Sequence, residues 1–261
     1  MTHFSFFFLL SLLLFSLPSI AQERWQNDQY IQDSFIKIAL GREYKETKYP
    51  KLIRWNQPIK LFFESESGDS ELQKELLSVH AKHLSSITGL SIEFTDNPKK
   101  ANMFAIFTRY ENMENKVQQY IGDPEKIRTA LNEAICLGTF RRNSRYEITK
   151  GIIIIPVDYA REKARFLDCI VEEITQLLGL PNDSDDVFPS IFNDISIDTY
   201  LSPLDYILLK ALYSSELKQG MDEKQTKTAF PLLLKSLHAN KNIENAAQQV
   251  QLHSLKRYLG D

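Results

Sequence analysis

The chain has 261 residues, with 31 Lys and Arg against 34 Asp and Glu, a formal net charge of −3 and two cysteines. Acids and bases are mixed along it, so it lacks the basic face that nucleic acid requires, which excludes nucleic acid as a partner. The length suits one domain with a full core plus extensions, and the patterns below divide it into residues 1–21, 22–57, 58–221 and 222–261.

The chain opens MTHFSFFFLLSLLLFSLPSIAQ, an apolar run from Phe4 to Leu17 followed by Pro18 and the small-x-small pattern Ser19-Ile20-Ala21. The run is short for a membrane span and no stop-transfer flank follows. It reads as a signal peptide, residues 1–21, although its first residues carry only His3. A retained anchor is the alternative. Export would place the mature chain in the periplasm or the medium, with no membrane span after cleavage. In such a compartment the even pair Cys136 and Cys169 is expected to close a disulfide, stapling a loop of about thirty residues worth about 3 kcal/mol. Two buried free thiols are the other reading.

Residues 22–57 look helical and polar, with one apolar cluster at Phe35, Ile36, Ile38, Ala39 and Leu40. IKLFFE (59–64) reads as a strand after Pro58. Asp69 or Ser70 can cap a helix carrying Leu72, Leu76, Val79, Leu84 and Ile87, which Thr88-Gly89 ends. LSIEF (90–94) and MFAIFT (103–108) read as strands, and 111–134 as an excursion containing a helix. GIIIIPVD (151–158) is apolar throughout and suits an inner strand. A helix follows and runs into EEITQLLGLPND (172–183). Ser202-Pro203 then starts another, with Ser202 as N-cap, Pro203 in the first turn and Asp205 at the positive helix end. Residues 222–261 read as two helices split near 240–242. The order predicts an α+β domain, a mixed twisted sheet with helices packed on it and helical extensions at both ends.

On a wheel of about 100° per residue, Ile170, Val171, Ile174, Leu177 and Leu178 share one side of the helix before Gly179. Cys169, Glu172, Glu173 and Gln176 share the other. Gly179 is placed to end the helix in the left-handed conformation, with Pro181 preventing continuation. The turn would then aim Asn182 and Asp183 back at the polar face. The expected binding cleft is therefore Glu172, Glu173, Gln176 and Asn182, with Cys169 reaching Cys136 from the same face.

This layout resembles the metzincin metalloproteases, whose pattern is His-Glu-x-x-His-x-x-Gly-x-x-His. Matched by position, Glu172, Gln176 and Asn182 stand where the zinc ligands would be, Glu173 at the general base and Gly179 at the turn. FPSIFND (188–194) resembles the metzincin Met-turn, with Phe192 in place of methionine and expected to pack beneath the cleft residues. LSPLDYILLKALY (201–213) resembles the helix that follows. The chain as a whole resembles more specifically the bacterial domain-of-unknown-function family 2927, through FIKIALGREY, the Arg54-Trp55 and Pro58-Ile59 segment, EEITQLLGLPND, SIFND and LYSSELKQGM. That resemblance implies no activity.

The three replaced histidines leave one carboxylate and two amides, a poor donor set for zinc, so neither metal nor cofactor is expected; a weak calcium or magnesium site, which accepts oxygen but wants more carboxylates, is the alternative. Asn182-Asp183-Ser184-Asp185-Asp186 with Asp194 has the outline of a calcium loop. Phe188 stands where such a loop needs glycine, so it reads as a solvated acidic turn. His80 and His83 lie near an apolar helix stripe and read as satisfied, partly buried side chains. The expected function is a non-catalytic binding or interaction module with the old cleft as its groove, taking an envelope protein or peptide. One alternative is a metal-independent hydrolase of peptide or cell-wall material using Glu173 as general acid or base. Another is a structural envelope protein.

Overall fold

The computed structural model describes residues 23–41, 50–196 and 199–261. The signal-peptide segment 1–21 and most of the GREY end of FIKIALGREY lie outside the described residues. Five strands form one mixed sheet in the order β2-β1-β3-β5-β4. They are β1 (Ile59–Ser65), β2 (Ile92–Phe94), β3 (Met103–Thr108), β4 (Leu137–Arg142) and β5 (Ile148–Pro156). β1 pairs in parallel with β2 and β3, and β3 with β5. Among the described residues only β4 runs antiparallel, and it is a sheet edge joined to β5 alone.

The apolar runs follow from burial on both faces. In β3, Met103, Ala105 and Phe107 enter the main core, while Phe104 and Ile106 enter a smaller one behind the sheet. β5 divides likewise, Ile153 and Ile155 to the first and Ile152 and Ile154 to the second. The smaller core is closed by α3 (Met113–Tyr120) and α4 (Arg128–Glu133), the helical content of the expected excursion.

The main face carries α1 (Asp28–Leu40), α2 (Ser70–Thr88), α5 (Val157–Glu162), α6 (Phe166–Gln176) and α7 (Pro203–Leu212). Then come α8 (Glu223–Ala239), α9 (Ala246–Gln249) and α10 (Leu255–Leu259). One buried apolar cluster runs from Trp25 to Leu255, so both helical ends share the core of the sheet. The second helix expected after 242 is broken into α9 and α10, which pack on α7 and α2. Leu72, expected on the apolar stripe of α2, is exposed. Among the described residues no helix is long and apolar enough to cross a membrane.

α7 begins as expected: Ser202 accepts from the Asp205 N–H, Asp205 caps Ser202 in return, and Pro203 occupies the first turn. β4 was not foreseen. Its sequence LGTFRR has a glycine, two arginines and only a partial alternation, because its outer edge faces the surface.

Candidate functional site

β4 and α6 form the two walls of a cleft of about 680 Å³. Gly138, Thr139 and Phe140 line it from β4, and Arg165, Cys169, Glu172, Glu173 and Gln176 from α6 and its approach. Pro181, Asp183 and Asp194 close its end. Cys136 and Cys169 bridge the walls, with Sγ atoms 2.15 Å and Cα atoms 5.9 Å apart, in disulfide connection.

α6 presents its polar face to the cleft because its other face is committed. Ile170, Val171, Ile174, Leu177 and Leu178 are all buried in the main core. Its last turn is fixed from behind: the Trp55 indole donates to the Leu177 carbonyl at 2.8 Å and the Tyr213 hydroxyl to that of Leu178 at 2.7 Å. These are the carbonyls that a helix end leaves without internal partners. Gly179 then takes φ +122°, and a Cβ there would lie 2.2 Å from the Ile53 carbonyl oxygen, so glycine is required.

The turn returns Asp183, not Asn182, to the cleft. Gln176 Nε2 donates to both Asp183 oxygens, at 2.8 and 3.1 Å. Asn182 turns the opposite way, donating to the Lys37 carbonyl near the end of α1 at 3.1 Å, with its amide against Gly41. The expectation that Asn182 joins the cleft is corrected on this geometry. Consecutive side chains diverge, and a helix-end carbonyl of α1 holds the first of them.

Asp194 also lines the cleft, outside the expected set of Glu172, Glu173, Gln176 and Asn182. The Asn193 side chain holds its loop, donating to the carbonyls of Asp185 and Val187 at 2.9 and 3.0 Å and accepting from the N–H groups of Ile195 and Ser196. Phe192 is fully buried, and its carbonyl accepts from the Ser184 N–H at 2.8 Å, which ties that loop to the segment carrying Asp183. The acidic turn thus contributes two of its carboxylates to the cleft.

Glu173 and Glu172 differ sharply. Glu173 is buried and its carboxylate lies against the β4 backbone: a Cβ on Gly138 would come within 2.2 Å of Glu173 Oε2. Glu172 faces the open cleft. One oxygen each from Glu172, Asp183 and Asp194 lie within 4.8 Å of one another. The Glu172 carboxyl is pushed up to about 9, first by burial and then by the charges of Glu173, Asp183 and Asp194, which outweigh Arg165. Arg165 spends its guanidinium on Asp168 at 2.8 Å and stands 4.0 Å from Glu172. At neutral pH Glu172 therefore carries a proton that its neighbours do not let go.

The donors do not fit zinc. Of the positions matched to metzincin ligands, Asn182 points away and the Gln176 amide gives its hydrogens to Asp183. Glu172, Asp183 and Asp194 offer oxygens of the kind a hard cation takes, fewer than the six to eight of a closed calcium site. His80 and His83 stand elsewhere, buried between α2 and its neighbours.

The family model described as a protein of unknown function, DUF2927, matches residues 28–232, which include both walls of the cleft. No curated protein matches the chain.

Proposed function

The chain belongs to the DUF2927 family of proteins of unknown function, and we propose that it is an exported, non-catalytic binding module that captures an extended, basic peptide segment in the cleft between β4 and α6. The observation that carries this reading is the pairing of an edge strand with an acidic wall. β4 has no strand partner on its outer side among the described residues, and its residues 138–140 line the cleft. An extended peptide can add to such an edge through main-chain hydrogen bonds, with side-chain pockets supplying selectivity. Across from it stand the carboxylates of Asp183 and Asp194 beside protonated Glu172, a negative site whose charge a Lys or Arg side chain would meet, displacing the Glu172 proton.

The metzincin-like reading of the fold supports the same role. By position in the sequence, Glu173 and Gly179 match the general base and the turn of that motif and the buried Phe192 matches its methionine, beside a cleft whose matched ligand positions carry no imidazole. The disulfide, and the lack of a membrane-crossing helix among the described residues, are compatible with export.

A second reading rests on one observation. Glu172, held protonated near 9 beside Asp183 and Asp194, is the pairing of an acid with carboxylates that hydrolases use for proton transfer. On this reading the acid of the metal-independent hydrolase is Glu172, because Glu173 is packed against β4.

A peptide array of random extended sequences distinguishes the readings. Binders should be enriched in Lys or Arg, and Glu172→Gln with Asp183→Asn should weaken them by at least about tenfold, since a desolvated charged hydrogen bond is worth about 1.5–3 kcal/mol. Binders without basic residues, or binding unchanged in the double variant, would refute the module. Mass spectrometry of the bound peptides tests the hydrolase: cleavage products that vanish in Glu172→Gln would establish it.

A further inference from the structure

We infer that the C-terminal segment from Ile243 to Leu259 is a latch on α2 that acid releases, with His83 as the group that opens it.

The segment is held by a few apolar anchors. Ile243, Ala246, Val250 and Leu255 are buried, α9 against α7 and α10 against α2. Its chain path includes His253 at φ 62°, a left-handed conformation that a side chain adopts reluctantly. It begins beyond residue 232, where the family match ends.

Beneath it lies a row of histidines. His80 Nε2 is 3.1 Å from both the Val171 carbonyl and the Thr175 hydroxyl of α6, so this ring is tied to the helix that carries the cleft. His83 follows one turn later, its ring edge-on to that of His80 with centroids 6.3 Å apart. Only 2% of His83 is exposed, and its Nε2 has no hydrogen-bond partner among the described residues. The Val250 carbonyl and His253 of the segment face the same ring. A buried ring nitrogen without a partner sits in the seam between α2 and the segment, where a proton would meet it most unfavourably.

Among the described residues the surroundings offer that proton no counter-ion. α2 supplies His80, with Lys82 along the rim, and its Glu75 is bonded to the Tyr258 hydroxyl. The segment supplies His253 and Arg257. α6 contributes the neutral Thr175 and the Val171 carbonyl, and Lys210 of α7 bonds the Ile87 carbonyl at the far end of α2. Burial and then the charge of His253 hold His83 down at about 4 against the hydrogen bond to the Val250 carbonyl, and burial and then His83 hold His80 at about 3 against the bond to the Val171 carbonyl.

The sign follows. A folded value depressed below the ordinary histidine value near 6.5 means that latch stability is complete above about 6.5 and lost as pH falls toward 4. Within that window each pH unit shifts the closed-to-open equilibrium about tenfold per proton. His83 opens first because Val250 and His253 of the segment face it. His80 is locked to α6 and titrates lower, so the sheet and cleft outlast the latch.

Hydrogen exchange on the full chain, corrected for intrinsic rates, tests this. Amides within 246–259 should lose about 100-fold protection between pH 6.5 and 4.5, two units at about tenfold each, while those of β3 and β5 keep theirs. His83→Leu should keep the segment protected at pH 4.5. Protection retained at pH 4.5 in the unmodified chain, segment and sheet opening together, or His83→Leu opening at the same pH would each overturn the latch. Should that variant not fold, the His83 ring titrated by NMR in the unmodified chain decides: a midpoint near 6.5 with the segment still protected overturns the proposal.

Discussion

Two carboxyl groups in this molecule invert the order that burial alone would give. Asp205 is wholly buried, yet its carboxyl is raised only to about 6. Glu172 keeps 20% of its side chain exposed and is raised to about 9. The difference lies in what each one meets. Asp205 accepts from the Ser190 hydroxyl at 2.6 Å and from the N–H groups of Ile191 and Ser202 at 3.1 and 2.7 Å. Glu172 meets mainly other acids, with Arg165 at 4.0 Å and the Gln176 amide at 3.5 Å as weak relief. A carboxylate ringed by donors holds a fold together, whereas one ringed by carboxylates waits for a cation or keeps a proton.

The strongest way to break the comparison is to remove the satisfied group. Asp205→Ala strands three buried donors and deletes half of the capping box of α7, and should lower unfolding stability by about 4 kcal/mol. Denaturant unfolding measures it. A loss below about 1 kcal/mol would mean that water replaces the carboxylate and that the two groups are not opposites.

The second substitution should act in the other direction. Because the folded Glu172 value lies above the ordinary 4.5, the folded state binds the proton more tightly than the unfolded chain. Stability from this group is therefore complete below about 4.5 and declines as pH rises through 9. Glu172→Gln removes the ionisation, so the variant should exceed the parent by about 2 kcal/mol at pH 8 and match it below pH 4.5. This figure is reduced from the full shift because water still screens the exposed part of the side chain. Equal stabilities at pH 8 would show that Asp183 and Asp194 do not crowd Glu172.

Much of this contrast was legible in the sequence, and the rest was not for identifiable reasons. The Ser202-Pro203 start with Asp205 is local chemistry within one turn, and periodicity placed Glu172, Glu173 and Gln176 on one face of α6. The run GIIIIPVD marked an inner strand because both its faces are covered. β4 escaped, since an edge strand with Gly138 and two arginines shows little alternation. Glycine at 138 reports a close approach by Glu173, which only the tertiary fold reveals. That contact also explains why the acid at the matched general-base position is packed away and its neighbour faces the cleft. Asp194 escaped because side-chain bonds from Asn193 shape its loop, and such bonds have no sequence period. His83 reads from the sequence as a satisfied core histidine; the structure sets its ring against the Val250 carbonyl and leaves its Nε2 without a partner among the described residues.

Asn182 provides the smallest and most discriminating substitution. A helix wheel and a glycine turn say that the chain comes back toward the cleft, but not which of two successive side chains faces it. Asn182 and Asp183 divide the alternatives: one bonds the Lys37 carbonyl of α1, the other accepts from Gln176. Asn182→Ala should therefore cost about 2 kcal/mol of stability, the net worth of its two hydrogen bonds to the Lys37 and Asp183 carbonyls, by loosening the junction between α1 and the turn. It should leave capture of basic peptides within about twofold of the parent, since no part of the cleft wall changes. Asp183→Ala should do the reverse, lowering capture with little loss of stability, because removing one of the crowded acids offsets the lost Gln176 bond. Unfolding and peptide binding measured on both variants separate the adjacent positions. If Asn182→Ala instead lost capture at full stability, the turn would present the asparagine to the ligand, as the motif alignment implied.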